Sequence, residues 1–310
     1  MALFTITGQS LKPINEKKIE LERHLQTLTE NNLNQVFGLQ FICTEFERNN
    51  LRIDTLAFDT EANAFVIIEY KRDRSFSVVD QGYAYLALLL NNKAEFILEY
   101  NERTGKTLHR ESVDWSQSRV LFVAHSFTIH QQQAINFKDL PIELWEVQQY
   151  DNGTILYSQL KAQDTSESIK TISKKNNTIQ KVSSEVRVYN IADHFMGKDQ
   201  AYELFENLRD KLLGIEPNIQ TNPRQNYIGF SLRENGFDTL VYVLIKTNKL
   251  RLVMPRFRPE DIADPLGKVT YKKNSVESKN TPESELDIES GEDIDYALTI
   301  LRQSRQKFFK

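Results

Sequence analysis

Hydrophobic positions recur along this chain with two different periods. Between Asn15 and Phe37, Leu21, Leu25 and Leu28 fall at helical spacing, which predicts a helix broken near Asn31 and Asn32. Leu51–Phe58 and Ala64–Lys71 are short, apolar-rich and separated by a polar stretch, a hairpin pattern without an Asn-Gly turn. Phe76–Asn91 predicts a second helix, and Thr128–Phe137 a third. Phe96–Tyr100, Arg119–Ala124 and Ile142–Tyr150 read as strands. These elements are most economically arranged as one central mixed sheet flanked by helices, an α/β (mixed α+β) class. From Gln163 to Ser184 the periodicity stops, and Ser, Thr, Lys and Asn replace large apolar residues, which predicts a mildly basic linker. Beyond it come a helix (Asp199–Leu213), three strands (Tyr227–Arg233, Thr239–Lys246, Lys249–Pro255) and a terminal helix (Ile294–Phe309). The polar stretch Asn274–Glu292 reads as a surface loop. The expected organisation is therefore a domain over 1–162, a linker over 163–184 and a smaller α+β domain over 185–310.

Composition narrows the function classes. A length of 310 residues suits about two domains, and 40% hydrophobic with 26% charged residues is the balance of a globular protein. The single cysteine, Cys43, allows no intrachain disulfide and reads as a buried structural thiol. The longest apolar run, Tyr83–Leu90, is far short of a bilayer span, and Met1–Pro13 lacks the basic-then-apolar pattern of a signal peptide. The expectation is a cytoplasmic protein with no membrane partner. A net charge of −4 excludes a uniformly basic nucleic-acid coat but leaves room for a local basic groove.

The segment that carries chemistry is Asp54 to Lys71. Alternation along a strand points Glu69 and Lys71 the same way. With the hairpin centred between Glu61 and Ala62, Asp54 falls opposite Glu69, at a Cβ separation of roughly 4.5–5.5 Å. Two facing carboxylates repel, so one holds its proton unless a cation is bound. Oxygen-only ligands favour Mg²⁺ or Mn²⁺ over zinc, and the Lys71 ammonium could orient a water or offset charge on a phosphate. A lone Asp…Glu-x-Lys triplet also occurs on solvated strand faces. Here Leu56, Phe65, Val66, Ile67 and Ile68 make both strands apolar, which places the charges at the edge of a core.

Three segments together, Arg52-Ile53-Asp54, Val66-Ile67-Ile68-Glu69-Tyr70-Lys71-Arg72 and Val79-Asp80-Gln81-Gly82-Tyr83-Ala84-Tyr85, resemble the PD-(D/E)xK nuclease superfamily, in particular its NucS-type, RecB-like branch. An upstream Glu22-Arg23-His24-Leu25-Gln26 resembles that branch's helix, with its Glu before a Leu-Gln pair. The resemblance covers roughly residues 15–150. It departs at Asn49-Asn50-Leu51, where a Gly often precedes the first catalytic strand. It implies a restriction-endonuclease-like sheet and a Mg²⁺- or Mn²⁺-dependent endonuclease acting on nucleic acid, with DNA the favoured substrate. By resemblance, Asp54 and Glu69 would ligate the metal, and Lys71 would position the attacking water. Glu22 would supply a further acidic ligand, and Gln81 and Tyr85 would sit over the site. Helix periodicity alone favours Glu20 or Glu22 on the flanks of the leucine stripe and turns Glu30 outward; a plain surface glutamate remains the alternative for Glu22. Glu45 resembles a further acidic position of the family, with a surface charge as the alternative. Arg72 and Arg74 suit phosphate recognition, or simply solvated charges at a strand end.

The second half resembles a small domain of unknown function found behind such nuclease-like domains. Its recognisable stretches are Asn226-Tyr227-Ile228-Gly229-Phe230, Val241–Lys246, Leu250-Arg251-Leu252 and Asp264-Pro265-Leu266-Gly267. Some relatives are catalogued as predicted transport proteins, a label at odds with the lack of an apolar span. Arg251, Arg256 and Arg258 around Phe257 could form a basic, aromatic edge for nucleic acid, or ordinary strand-end charges. Two other classes stay open: a non-catalytic nucleic-acid-binding or regulatory protein on the nuclease fold, and a protein–protein module in the second half. Nucleases of this fold often act as homodimers to cut two strands.

Overall fold

The computed structural model describes residues 2–17, 22–49, 51–71, 77–137, 139–161, 167–169, 176–232, 238–271 and 282–308. The chain divides into two units, Met1–Val188 and Tyr189–Lys310, each with its own buried core. The class is mixed α+β, as the sequence pattern predicts.

The first unit opens with a separate hairpin, β1 (Leu3–Thr7) with β2 (Ser10–Ile14), followed by the short β3 (Glu16–Lys17). The helix predicted from Asn15 to Phe37 is corrected at its start, where Glu16 and Lys17 are paired as strand β3, and its helical part is two: α1 (Glu22–Glu30) and α2 (Leu33–Phe37), broken at Asn31 and Asn32. Next come β4 (Gln40–Arg48), β5 (Leu51–Asp59) and β6 (Ala64–Lys71), then α3 (Val78–Asn91) and α4 (Lys93–Thr104). The unit continues with β7 (Arg119–Ala124), α5 (Ile129–Ala134), β8 (Ile142–Tyr150), β9 (Ile155–Leu160) and α6 (Asn177–Glu185). The sheet order is β3-β8-β7-β6-β5-β4, with β9 also on β8. β4, β5 and β6 are antiparallel neighbours, whereas β6, β7 and β8 run parallel. Parallel neighbours need crossovers, supplied by α3–α4 and by α5. Arg119, at the start of β7, ties strands together by pairing with Asp59 on β5 and Glu143 on β8, both at 2.9 Å.

Two expectations change here. Phe96–Tyr100 is helical, inside α4: Phe96 and Tyr100 lie one turn apart and are buried, while Leu98 between them is exposed. Aromatic content suggested a strand, but burial on one helical face decided the outcome. Part of the expected linker is α6, which is docked on the first core through Ile179 and Val182 and capped by Asn176.

The second unit holds α7 (Asp199–Ile215), β10 (Gln220–Pro223), β11 (Ile228–Leu232), β12 (Asp238–Ile245), β13 (Leu250–Pro255), β14 (Thr270–Tyr271), β15 (Glu283–Ile288) and α8 (Gly291–Phe308). Its antiparallel sheet has the order β10-β11-β12-β13-β15-β14. β15 corrects the expected surface loop: Leu286 and Ile288 enter the core, and Asp287 and Glu285 neutralise Arg251 of β13. Among the described residues no helix is long and apolar enough to cross a membrane.

Candidate active site

The hairpin register is the one that the sequence implies. Thr55 pairs with Ile68 and Leu56 with Ile67, so the same ladder, continued one step, brings Asp54 to Glu69. The Asp54 carboxylate also accepts the Tyr70 amide at 3.0 Å. At the end of β4, Asn49 holds φ at 50°, a left-handed conformation that asparagine tolerates.

Glu69 is buried, at 4% exposure, and three donors converge on it. Lys71 Nζ lies 2.6 Å from Oε1, Gln81 Nε2 lies 3.2 Å from the same oxygen, and the Tyr85 hydroxyl lies 2.8 Å from Oε2. Gln81 and Tyr85 sit one turn apart on α3, directly after β6. The second hydrogen of the Gln81 amide goes to the Tyr85 oxygen at 3.1 Å. Tyr85 is also 3.1 Å from the Arg52 carbonyl, so its one hydroxyl proton serves either Glu69 or β5. Burial, and the Glu69 carboxylate beside it, hold the Tyr85 hydroxyl above its usual range, which keeps it a donor. Lys71 stays part-exposed, with its head on Glu69.

Asp54 is half-buried. Burial first, and the Glu69 carboxylate second, push it up to about 6, against the pull of the Tyr70 amide, Lys71 and Arg52. The carboxylate conflict expected from register is therefore present in the folded chain. Asp54, Glu69, Lys71, Gln81 and Tyr85 thus form one constellation on β5, β6 and α3.

Glu22 opens α1, but its side chain, like Glu20, Arg72 and Arg74, lies outside the described residues. Glu30 does not turn outward: its carboxylate accepts from Gln26 at 3.0 Å and from the Thr55 hydroxyl. The buried line of α1 runs through Leu25 and Thr29, whose hydroxyl bonds the Leu25 carbonyl and Tyr157, while Leu28 is exposed. Glu45 is exposed, with φ at 53°, between the pairs Thr44–Thr55 and Phe46–Ile53. Cys43 is buried, and burial pushes its thiol up to about 12, as suits a structural residue. Of the two readings of Arg251, Arg256 and Arg258 around Phe257, ordinary strand-end charges fit Arg251 and Arg258. Phe257 is 1% exposed in the core, Arg251 is paired with Asp287 at 2.7 Å, and Arg258 lies 3.9 Å from Glu260. Among the described residues no three His, Cys, Asp or Glu side chains converge to hold a metal by themselves. The sequence names Gln26 in the Leu-Gln pair of α1 without giving it a role, and offers no signal for Thr55.

Three solved structures are similar to part of the chain. A repair endonuclease from Pyrococcus abyssi is 18% identical, over 38% of this chain and 44% of that one, at a TM-score of 0.22. An EndoMS–dsDNA complex is 17% identical over 42% and 47%, at 0.23. SfsA from Pyrococcus furiosus, in complex with Ca²⁺, is 14% identical over 46% and 65%, at 0.23. The chain spans less than half the length of the first two. Residues 191–305 match the family model described as a domain of unknown function (DUF5655). An uncharacterized protein of Haemophilus influenzae is 39% identical over 305 residues, 98% of this chain and 99% of its own length, and the chain belongs to the family of that protein.

Proposed function

We propose that the first unit is a PD-(D/E)xK-type nuclease that hydrolyses phosphodiester bonds in DNA with Mg²⁺ or Mn²⁺. The observation that carries this reading is the pairing of a buried Glu69, gripped by Lys71, Gln81 and Tyr85, with an Asp54 carboxyl pushed up to about 6. A hard divalent cation fits this donor set. Mg²⁺ typically takes one or two carboxylates and completes its shell with water and substrate phosphate, so a third protein ligand is not required. Such a cation supplies polarisation of the phosphate and a more acidic water.

The chain's own residues do the rest. Asp54 and Glu69 would hold the cation, with Glu22 a candidate for a further acidic group. Gln81 and Tyr85 fix the plane of the Glu69 carboxylate. Lys71, anchored on Glu69 and part-exposed, orients the attacking water and offsets charge developing on the phosphate. Arg72 and Arg74, close to it in the sequence, are candidates for phosphate contacts.

The test is cleavage of labelled single-stranded, duplex and branched DNA, with Mg²⁺ or Mn²⁺ against EDTA. Wild type should cut in a metal-dependent way, and Asp54→Ala, Glu69→Ala and Lys71→Ala should each lose at least about 100-fold while remaining folded. Cleavage that persists in the folded variants overturns the assignment. DNA binding with no turnover in either metal overturns it in favour of a non-catalytic DNA-binding protein.

A further inference from the structure

Two side chains one turn apart on α1, Gln26 and Glu30, grip two consecutive residues of β5. The Gln26 amide nitrogen lies 3.0 Å from the Asp54 carbonyl, 3.0 Å from the Thr44 hydroxyl and 3.0 Å from Glu30 Oε1. Two hydrogens serve three acceptors, so at least one is shared. Glu30 in turn accepts the hydroxyl of Thr55, the next residue. Thr44 adds a longer bond to the Asp54 carbonyl, at 3.4 Å. This double grip sits where β4 turns left-handed at Glu45, with φ at 53°. Away from the helix, Asp54 Oδ2 is met by the Tyr70 amide of β6 at 3.0 Å. The carboxylate is thus held through its own acceptor bond, while Gln26 holds the Asp54 carbonyl and Glu30 holds the side chain of Thr55 beside it.

We infer that Gln26 and Glu30 are positioning residues that set where the Asp54 carboxylate stands relative to Glu69; as a statement about catalysis this rests on the nuclease reading above. Neither touches the reacting atoms. Ligands of this kind depend on groups that orient them from behind, and losing one such group typically weakens metal affinity or activity 10–100-fold. Gln26 replaces that support with an amide, which carries no charge to compete for the cation. Glu30 spends its charge on Gln26 and Thr55 instead of on the site.

The test uses the full chain. Gln26→Met keeps the side chain's length and removes its hydrogen bonds. Thr55→Val removes the hydroxyl that Glu30 receives, and Thr55→Ser restores it. Thr27→Ala, on the exposed side of α1, is the control. Two readouts are needed: the Tyr70 amide resonance and its exchange rate in ¹⁵N-labelled protein, and Mn²⁺ affinity by calorimetry. Gln26→Met and Thr55→Val should each shift the Tyr70 amide and speed its exchange. They should weaken Mn²⁺ binding about 10–100-fold, with Thr55→Ser and Thr27→Ala close to wild type. A Tyr70 amide unmoved in both Gln26→Met and Thr55→Val overturns the inference, whatever happens to cleavage. If wild type binds no Mn²⁺ and cuts no DNA while the Tyr70 amide does respond, the nuclease reading falls and the positioning role stands. If Gln26→Met does not fold, the Thr55→Val and Thr55→Ser pair decides the question alone.

Discussion

At the scale of single residues, Asp54 is the group whose energetics depend most directly on solution conditions. Its folded value of about 6 exceeds the ordinary 3.8 because burial and Glu69 disfavour the anion. The folded state therefore holds that proton more tightly than the unfolded chain does. Well below the ordinary 3.8 both states are protonated and Asp54 costs nothing. As pH rises from about 3 to 6 the unfolded chain ionises first, and stability falls to a plateau above about 6. In EDTA, Asp54→Asn should be more stable than wild type at pH 7–8 by about 1–2 kcal/mol, allowing for the group's part exposure. The gain should shrink to a small remainder near pH 4, where the folded Asp54 is protonated and the unfolded one is only partly ionised, because Asn keeps an oxygen for the Tyr70 amide. Urea titrations at pH 4, 6 and 8 measure it; a pH-independent difference would show that the carboxylate conflict is absent. The facing of Asp54 and Glu69 was legible in the sequence because strand alternation and an even loop fix hairpin register. The Tyr70 amide bond was not, since it depends on a side chain folding back onto a neighbouring strand. Nor was the inward Glu30: the leucine stripe hid the fact that buried Thr29, with its hydroxyl satisfied, belongs to the packed face of α1.

At the scale of elements, the placement of Gln81 and Tyr85 depends on how closely α3 approaches the sheet. Gly82, between them, makes that approach possible: a Cβ there would stand 2.4 Å from Ile142 Cδ1 and 2.8 Å from its Cγ1, with Phe122 at 3.5 Å. Ile142 is buried on β8 and β-branched, so it has little freedom to turn aside. Gly82→Ala should therefore cost about 1–3 kcal/mol, despite alanine's better helix propensity. Ile142→Val, which removes the nearest carbon, should recover part of that loss in the double variant, a coupling that chemical denaturation of the four proteins reads directly. Strict additivity would mean that α3 moves as a body instead. The helix itself was readable from its apolar run, as was the paired core hairpin. What escaped were elements whose polar residues are satisfied by neighbours. β15 looks like loop because Glu285 and Asp287 read as solvated, yet both are matched by Arg251 on β13. That same match takes Arg251 to the strand-end alternative, since counter-charges from another strand are invisible to a local reading.

At the scale of the whole molecule, the chain forms two units, Met1–Val188 and Tyr189–Lys310, and α6, in the stretch read from composition as linker, belongs to the first. The separation of cores gives the metal proposal a test that needs no substrate. Both tryptophans, Trp115 and Trp145, lie in the unit that carries Glu69, so their fluorescence reports the unfolding of that unit, while far-UV circular dichroism reports both. A cation that binds the folded site and not the unfolded chain stabilises by about 2.7 kcal/mol at one hundred times its dissociation constant. For a unit of this size that is roughly 5–10 °C in Tm. Added Mn²⁺ should raise the fluorescence transition by that amount and leave a second dichroism component, from the other unit, in place. In Glu69→Ala the fluorescence shift should disappear, because the carboxylate that Lys71, Gln81 and Tyr85 hold ready is gone. An equal shift in Glu69→Ala would locate the cation elsewhere. No shift in wild type would mean that the Asp54 and Glu69 pair relieves its conflict by keeping a proton, and the first unit would then have to act without a metal.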